Sequence, residues 1–409
     1  TRGWFFTLHA ISGMVFDSVA YKAVISNGLV LDKDGNKMSK RLGNAVNPFE
    51  AIEKFGSDPL RWYMIANSSP WDNLKFDPAG VQEAARKLFA TLHNTYSFFA
   101  LYANVDNFDR NTALIPVAER PEIDRWIISL LNTLIITVDE ALADYEPTRA
   151  ARAINDFVND DLSNWYVRLN RKRFWGGEMN SDKLAAYQTL YTCLETVSRL
   201  IAPIAPFYAD RLYRDLTGNP DRSVHLASYP EADDSVIDKA LEERMRLAQT
   251  ITSMVLSLRR KANLKVRQPL QRIMIPAADE AQKAAVEAMK ELVLGEVNVK
   301  ELQLVSGDDT VLVKRVKPDF KKLGPKFGKS MKQVAAAVQS MSQQDIAALE
   351  RNGRIELMAG DAPAVIELAD VEVISEDIPG WLVASEGNVT VALDVTVTPE
   401  LRMEGLARD

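Results

Sequence analysis

The chain has 409 residues, a formal net charge of −7, 47 % hydrophobic and 26 % charged residues. At about 150 residues per domain this predicts two to four domains of ordinary soluble composition. A single cysteine, Cys193, excludes an internal disulfide and a cysteine-rich zinc module, and His9, His93 and His225 lie too far apart to suggest a metal cluster. No metal site is therefore expected. No apolar run comes near the roughly 20 residues of a membrane span, and no signal peptide opens the chain, so a cytosolic protein with no membrane partner is expected.

The chain opens without methionine in Thr1-Arg-Gly-Trp-Phe-Phe and closes on a helical pattern, residues 399–409, that carries no stop signal. A piece of a longer polypeptide is expected. Up to residue 76, short apolar runs alternate with turns. Residues 23–30 read as a buried strand, 31–36 as a tight turn and 48–55 as a short helix. From residue 78 the period becomes helical. Ile123, Trp126, Ile127, Leu130, Leu134, Val138 and Leu142 repeat at three and four; a second helix spans 147–174, and a third begins with Ser181 as N-cap. Pro203 and Pro206 interrupt it, and a last long helix covers 235–262. Long helices with short connections predict an antiparallel bundle.

After Gln268-Pro269 the period changes again. Strands at 272–275 and 297–304 flank a helix at 279–294, an α/β unit. Further strands are expected at 311–316, 354–357, 364–368 and 371–374, a helix at 329–349, and a hairpin of 381–385 with 389–397 around Glu386-Gly-Asn388. The expected fold is multidomain, with an α/β start, an all-α bundle and a C-terminal α+β region. Cys193, among Leu190, Leu194 and Val197, reads as a buried small hydrophobe.

The segment with the clearest chemistry is Asp32-Lys-Asp-Gly-Asn-Lys37-Met38-Ser39-Lys40-Arg41-Leu42-Gly43-Asn44. Two lysines on long stems beside a glycine-containing turn suit a ligand whose negative charge moves during reaction. A second segment, Trp165-Tyr-Val-Arg-Leu-Asn-Arg-Lys-Arg-Phe-Trp175, interleaves four basic with four aromatic residues, a mixture that RNA readers use. Arg168, Arg171 and Lys172 are its candidate phosphate contacts. The basic runs 259–267 and 314–332 are candidates for additional RNA contacts.

Lys37-Met-Ser-Lys40 followed by Arg-Leu-Gly-Asn44 resembles the second signature of class I aminoacyl-tRNA synthetases. Residues 48–63 are similar to the stretch just after that signature in the isoleucine, valine and leucine members. Arg2-Gly-Trp-Phe5, Ser69-Pro-Trp-Asp-Asn-Leu-Lys-Phe76, Asn164-Trp-Tyr-Val-Arg168 and Arg171-Lys-Arg-Phe-Trp175 resemble the isoleucine-specific, eukaryote-like members, the first as a strand facing the amino acid. The resemblance implies the end of a Rossmann-type catalytic domain at 1–76, a connecting helical segment that contacts the tRNA stem at 77–119, an anticodon-binding bundle at 120–264 and an α+β region at 265–409. It implies that Lys37 and Lys40 bind ATP phosphates and stabilise the charge passing to pyrophosphate, that Met38 and Ser39 complete the ATP-binding loop, and that Trp4 lines the isoleucine pocket. ATP with Mg2+, isoleucine and isoleucine tRNA are the implied substrates and partners, of a monomer. Arg41 stands where many members have serine. His-x-Gly-His, the other ATP signature, is absent, so the chain by itself is expected to bind tRNA without catalysing. A valine-specific member, or an RNA-binding module derived from a synthetase, are the alternatives.

Overall fold

The computed structural model describes residues 3–277, 280–305, 314–360, 362–375, 380–387 and 389–408. They form two compact units, residues 1–239 and 240–409.

The first unit opens with the helix Trp4–Phe16, where a strand is expected. The helix is apolar on every side and buries no residue, so periodicity could not separate it from a strand. The expected strand at 23–30 is also shorter: only Val30–Leu31 is extended in a ladder, parallel to Leu74–Lys75, and Val24, Ile25 and Leu29 are exposed. A strand needs a neighbour for its backbone groups, and Leu74–Lys75 supplies only a two-residue ladder. The approach is tight. Gly28 donates its N–H to Pro70 O at 2.8 Å, and a Cβ at Gly28 would stand 2.1 Å from Asp72 O. Gly28→Ala must therefore push two backbones apart, at about 1–3 kcal/mol. The expected result is faster amide exchange at Leu74 with the helical bundle unchanged; unaltered exchange would refute the contact.

Helices Pro48–Phe55 and Ser57–Ala66 come next, the first as expected and N-capped by Asn47, which accepts from Phe49 N at 3.0 Å. Tyr63, Leu74, Phe76 and Val81 form a small core, with Met38 and Phe55 packed against it. Asp77 caps a helix that runs from Pro78 to Val105 with a π-helical stretch at Ala85–Ala90. The bundle proper consists of Glu122–Ala143, a continuous helix from Pro147 to Phe174, Ser181–Ile201 and Pro206–Thr217. Its core contains Trp126, Ile127, Ile154, Tyr166, Leu190 and Leu194. Contrary to the expectation that no apolar run reaches such a length, Glu122–Ala143 is long and apolar enough to cross a membrane by length and composition; its apolar side forms the middle of this core. The cap of the third helix is Asn180 rather than Ser181, its side chain accepting from Lys183 N at 2.8 Å. Cys193 is fully buried as expected, and burial raises its thiol pKa.

The helix Lys239–Lys261, expected as the last of the bundle, falls in the second unit. Arg259 accounts for this locally. It is 1 % exposed, and its guanidinium donates to the carbonyls of Lys265, Gln268 and Asn298 at 2.8–3.1 Å. Burial lowers its pKa to about 10. This first arginine of the 259–267 run is thus a brace between helix and strand and gives no surface for RNA.

A four-stranded sheet has the order Val299–Val305, Leu270–Pro276, Val389–Asp394, Trp381–Glu386. The first two strands are parallel, joined through helices Glu280–Ala288 and Lys290–Val297, and the last two form the expected hairpin. Asn388, in its turn, lies outside the described residues. Lys314–Pro318 pairs antiparallel with Val371–Ser375, and Arg354–Ala359 with Ala362–Glu367. Residues 311–313 of the strand expected at 311–316 are likewise outside the described residues. The single helix expected at 329–349 is two, Met331–Gln339 and Gln343–Asn352, because Ser342 and Asp345 form a capping box that starts a new helix. Val316, Leu323, Val334, Val338, Ile346 and Ile366 close a separate core around them. The lysines at 314–332 are partly committed within the chain: Lys326 reaches Glu367 and Asp370 at 2.8–3.0 Å, and Lys322 donates to Ala369 O at 2.7 Å.

Candidate functional site

The loop at 32–44 is closed by side chains onto its own backbone. Asp32 accepts from the N–H groups of Asp34 and Asn36 at 3.0 and 2.7 Å, an Asx turn that sets the bend before Gly35 at φ 89°. Asn44 reaches back across the loop. Its Oδ1 accepts from Ser39 N at 2.8 Å, and its Nδ2 donates to Asp32 Oδ2 at 2.9 Å and Lys37 O at 3.3 Å. The Asn44 amide, then the Asn36 N–H, hold the Asp32 carboxyl below the usual carboxylate range. Lys37 lies beside Leu31 in an isolated bridge. Ser39 caps the short 3-10 turn Lys40–Leu42 by accepting from Arg41 N, and Gly43 ends it at φ 67°, where a side chain is disfavoured.

Three cations, Lys37, Lys40 and Arg41, stand exposed on this framed loop and make no ion pair among the described residues. Met38 is packed against the Tyr63–Phe76 core, so it anchors the loop with its side chain. Asp32 and Asn44 close the loop, a role that the sequence pattern did not single out. The Asp-x-Asp-Gly-Asn spacing is an Asx-turn signal for the first, but Asn44 reaches back as far as Asp32, twelve residues away, which no local pattern reveals. Trp4 is 81 % exposed on its helix.

The loop segment is tied to the bundle at both ends of helix Ser57–Ala66. Asp58 Oδ2 accepts from Tyr208 N at 2.6 Å, and Arg61 donates to Ile204 O at 2.8 Å and Pro203 O at 3.3 Å. Asp58 is 4 % exposed; its burial raises the carboxyl pKa against the N–H donors of Tyr208 and Phe207. At the other end, Thr148 donates to Ile65 O at 2.7 Å, and Arg152 to Ala66 O and Asn67 O at 2.8 and 3.0 Å. The helix's last carbonyls are thereby satisfied by side chains of another helix.

The basic–aromatic segment divides cleanly. Trp165, Tyr166 and Phe174 are buried, with Phe174 edge-on to Phe98 and Tyr187 at 5.2 and 5.0 Å. Arg173 is structural. Its guanidinium holds both oxygens of the fully buried Asp124 at 2.7 and 2.9 Å and pairs with Asp182 at 2.8 Å. Although burial lowers the Arg173 pKa, the hydrogen bonds to Asp124 more than restore it, and the net shift is upward. Tyr166 donates to Asp124 Oδ1 at 2.7 Å, and burial, with Asp124 adding, pushes its phenol well up. Arg168, Arg171 and Lys172 are exposed; Arg171 and Lys172 make no ion pair among the described residues. The stretch Phe157–Val167 just before them is π-helical, which shifts the register by which the segment's faces were read from a 3.6 period.

Residues 1–77 match the family model of class I tRNA synthetases for isoleucine, leucine, methionine and valine, and residues 124–275 match the anticodon-binding domain of tRNA ligases. The framed lysine loop and the helical bundle thus fall in the two modules of a class I tRNA synthetase. Over its whole length the chain is 70 % identical to the isoleucine–tRNA ligase of Bacteroides thetaiotaomicron, 66 % to that of Porphyromonas gingivalis and 40 % to that of Thermus thermophilus. The chain is thus similar throughout its length to isoleucine–tRNA ligases. It spans 36 %, 36 % and 40 % of the length of these three relatives.

Proposed function

We propose that the protein activates isoleucine with ATP and transfers it to isoleucine tRNA, this chain supplying the phosphate-binding loop and the anticodon-binding bundle. The observation that carries the reading is the Asn44-closed loop bearing Lys37 and Lys40. As the isoleucine carboxylate attacks the α-phosphorus and the bond to the α–β bridging oxygen breaks, mobile ammonium groups on a fixed backbone can follow the charge that builds on the leaving pyrophosphate, which lowers the barrier more than it tightens ground-state binding. Lys40, at the start of the capped turn, takes the direct phosphate contact, and Lys37 the second. Met38 fixes the loop to its core, and Ser39 caps the turn. Mg2+ enters with ATP as part of the substrate. Trp4 is assigned to the isoleucine side chain by resemblance alone. Isoleucine is favoured over valine because the relatives at 58–70 % identity are named isoleucine–tRNA ligases. A monomer in the cytoplasm is proposed from the sequence.

The bundle is proposed to hold the tRNA through Arg168, Arg171 and Lys172. Each phosphate neutralised contributes roughly one unit to the slope of log K against log salt. Arg171→Ala with Lys172→Ala should therefore flatten the slope by about two units and weaken binding at low salt, leaving the melting temperature unchanged. Anisotropy titrations of labelled isoleucine tRNA at several salt concentrations measure this. An unchanged slope would place the RNA surface elsewhere.

A further inference from the structure

We propose that Trp175 is a stacking platform for one unpaired base of the RNA held by the basic helix; the proposal rests on the RNA-binding reading above. Of the four aromatic residues in the segment, three are buried, whereas Trp175 is 52 % exposed. It sits where the helix Arg168–Phe174 stops, its own backbone extended at φ −85°, ψ 109°. It lies four residues after the exposed Arg171 and three after the exposed Lys172.

The next two residues of the chain leave the indole unscreened. Gly176 and Gly177 both adopt positive φ, 66° and 76°, and a Cβ on either would meet nothing within 4 Å. Two consecutive residues without side chains thus border the tryptophan with open space. This bare ledge is nevertheless held in place. Lys183, only 3 % exposed, donates to Gly176 O at 3.1 Å and Gly177 O at 3.4 Å while pairing with Asp106 at 2.6 Å. Burial raises the Asp106 carboxyl, but the hydrogen bonds from Lys183 and Tyr187 outweigh it and hold it below the usual range, so the anchor is charged at neutral pH. A rigid aromatic plane beside cations accepts a base with little ordering cost, because every base has a π face and the adjacent phosphates are neutralised.

The test compares Trp175→Ala, Trp175→Phe and the Arg171→Ala/Lys172→Ala double variant in the full-length protein. The probe is an isoleucine tRNA transcript, titrated at several salt concentrations. Trp175→Ala is expected to weaken binding roughly 5- to 100-fold, the range for loss of one stacked base, with the salt slope unchanged because stacking neutralises no phosphate. Trp175→Phe should recover most of the loss. If Trp175→Ala binds within twofold of the parent while the double variant is weakened, the platform is refuted and the RNA reading stands. If neither variant alters binding, both fall. A Trp175→Ala loss that phenylalanine does not rescue, or that comes with a flattened slope, would mean that the substitution displaced the basic helix, and would overturn the stacking role.

Discussion

Asp124→Ala is expected to destabilise the bundle by about 3–5 kcal/mol, the scale for removing one partner of a buried charge pair. Asp124 is fully buried and serves two groups at once, the fork of Arg173 and the hydroxyl of Tyr166. Alanine leaves the guanidinium with only Asp182 and the Asn170 amide oxygen, and the buried phenol without its acceptor. The cost is greater than that of an exposed ion pair because water cannot replace the lost partner. Urea unfolding of the variant should show a lower midpoint with an unchanged slope. Replacing the pair together, Asp124→Leu with Arg173→Met, should recover part of the loss, since neither charge is then stranded. A single-variant cost below about 1 kcal/mol, the level of a surface pair, would show that the network adds little.

Lys40→Ala in the full-length protein is expected to slow adenylate formation by about 2–4 kcal/mol of transition-state stabilisation, the scale for losing one charge-stabilising group. The loop should keep its shape, because its closure depends on Asn44, Asp32 and the Ser39 hydroxyl, none of which touches the Lys40 ammonium. The affinity for isoleucine should therefore barely change. Isoleucine-dependent exchange of pyrophosphate into ATP is the measurement, with kcat/KM for ATP as the readout. A variant within twofold of the parent would remove Lys40 from the proposed mechanism. Asn44→Ala is the informative companion. It keeps all three cations but frees the loop, so it should lower the same parameter through positioning.

Much of the site was legible because the signals are local. The lysine pair, the turn before it and the helix Pro48–Phe55 are each set by neighbours within a few residues: an Asx turn, a cap, a proline at the first helical turn. The bundle helices were legible from their 3.6-residue period, which a buried stripe imposes on any such helix. Of the four basic residues at 168–173, Arg168, Arg171 and Lys172 read from sequence as contacts, but no local signal reveals that Arg173 braces the bundle. The difference depends on Asp124, some 49 residues away in the chain. The same holds for Arg259, a member of a basic run in sequence and a buried brace in the fold.

Motif, composition and period were enough for the resemblance to class I synthetases, the position of the lysine loop, the bundle and the change to α+β after residue 268. Tertiary structure alone decided which polar side chains are structural. Asn44 closing the loop, Asp58, Arg61, Thr148 and Arg152 clamping one helix to the bundle, and Lys183 propping the ledge beside Trp175 are all such choices. The clamp contacts join residues 80–150 positions apart. Buried polar groups must find partners wherever the packed chain offers them, and that search leaves no period or spacing in the sequence.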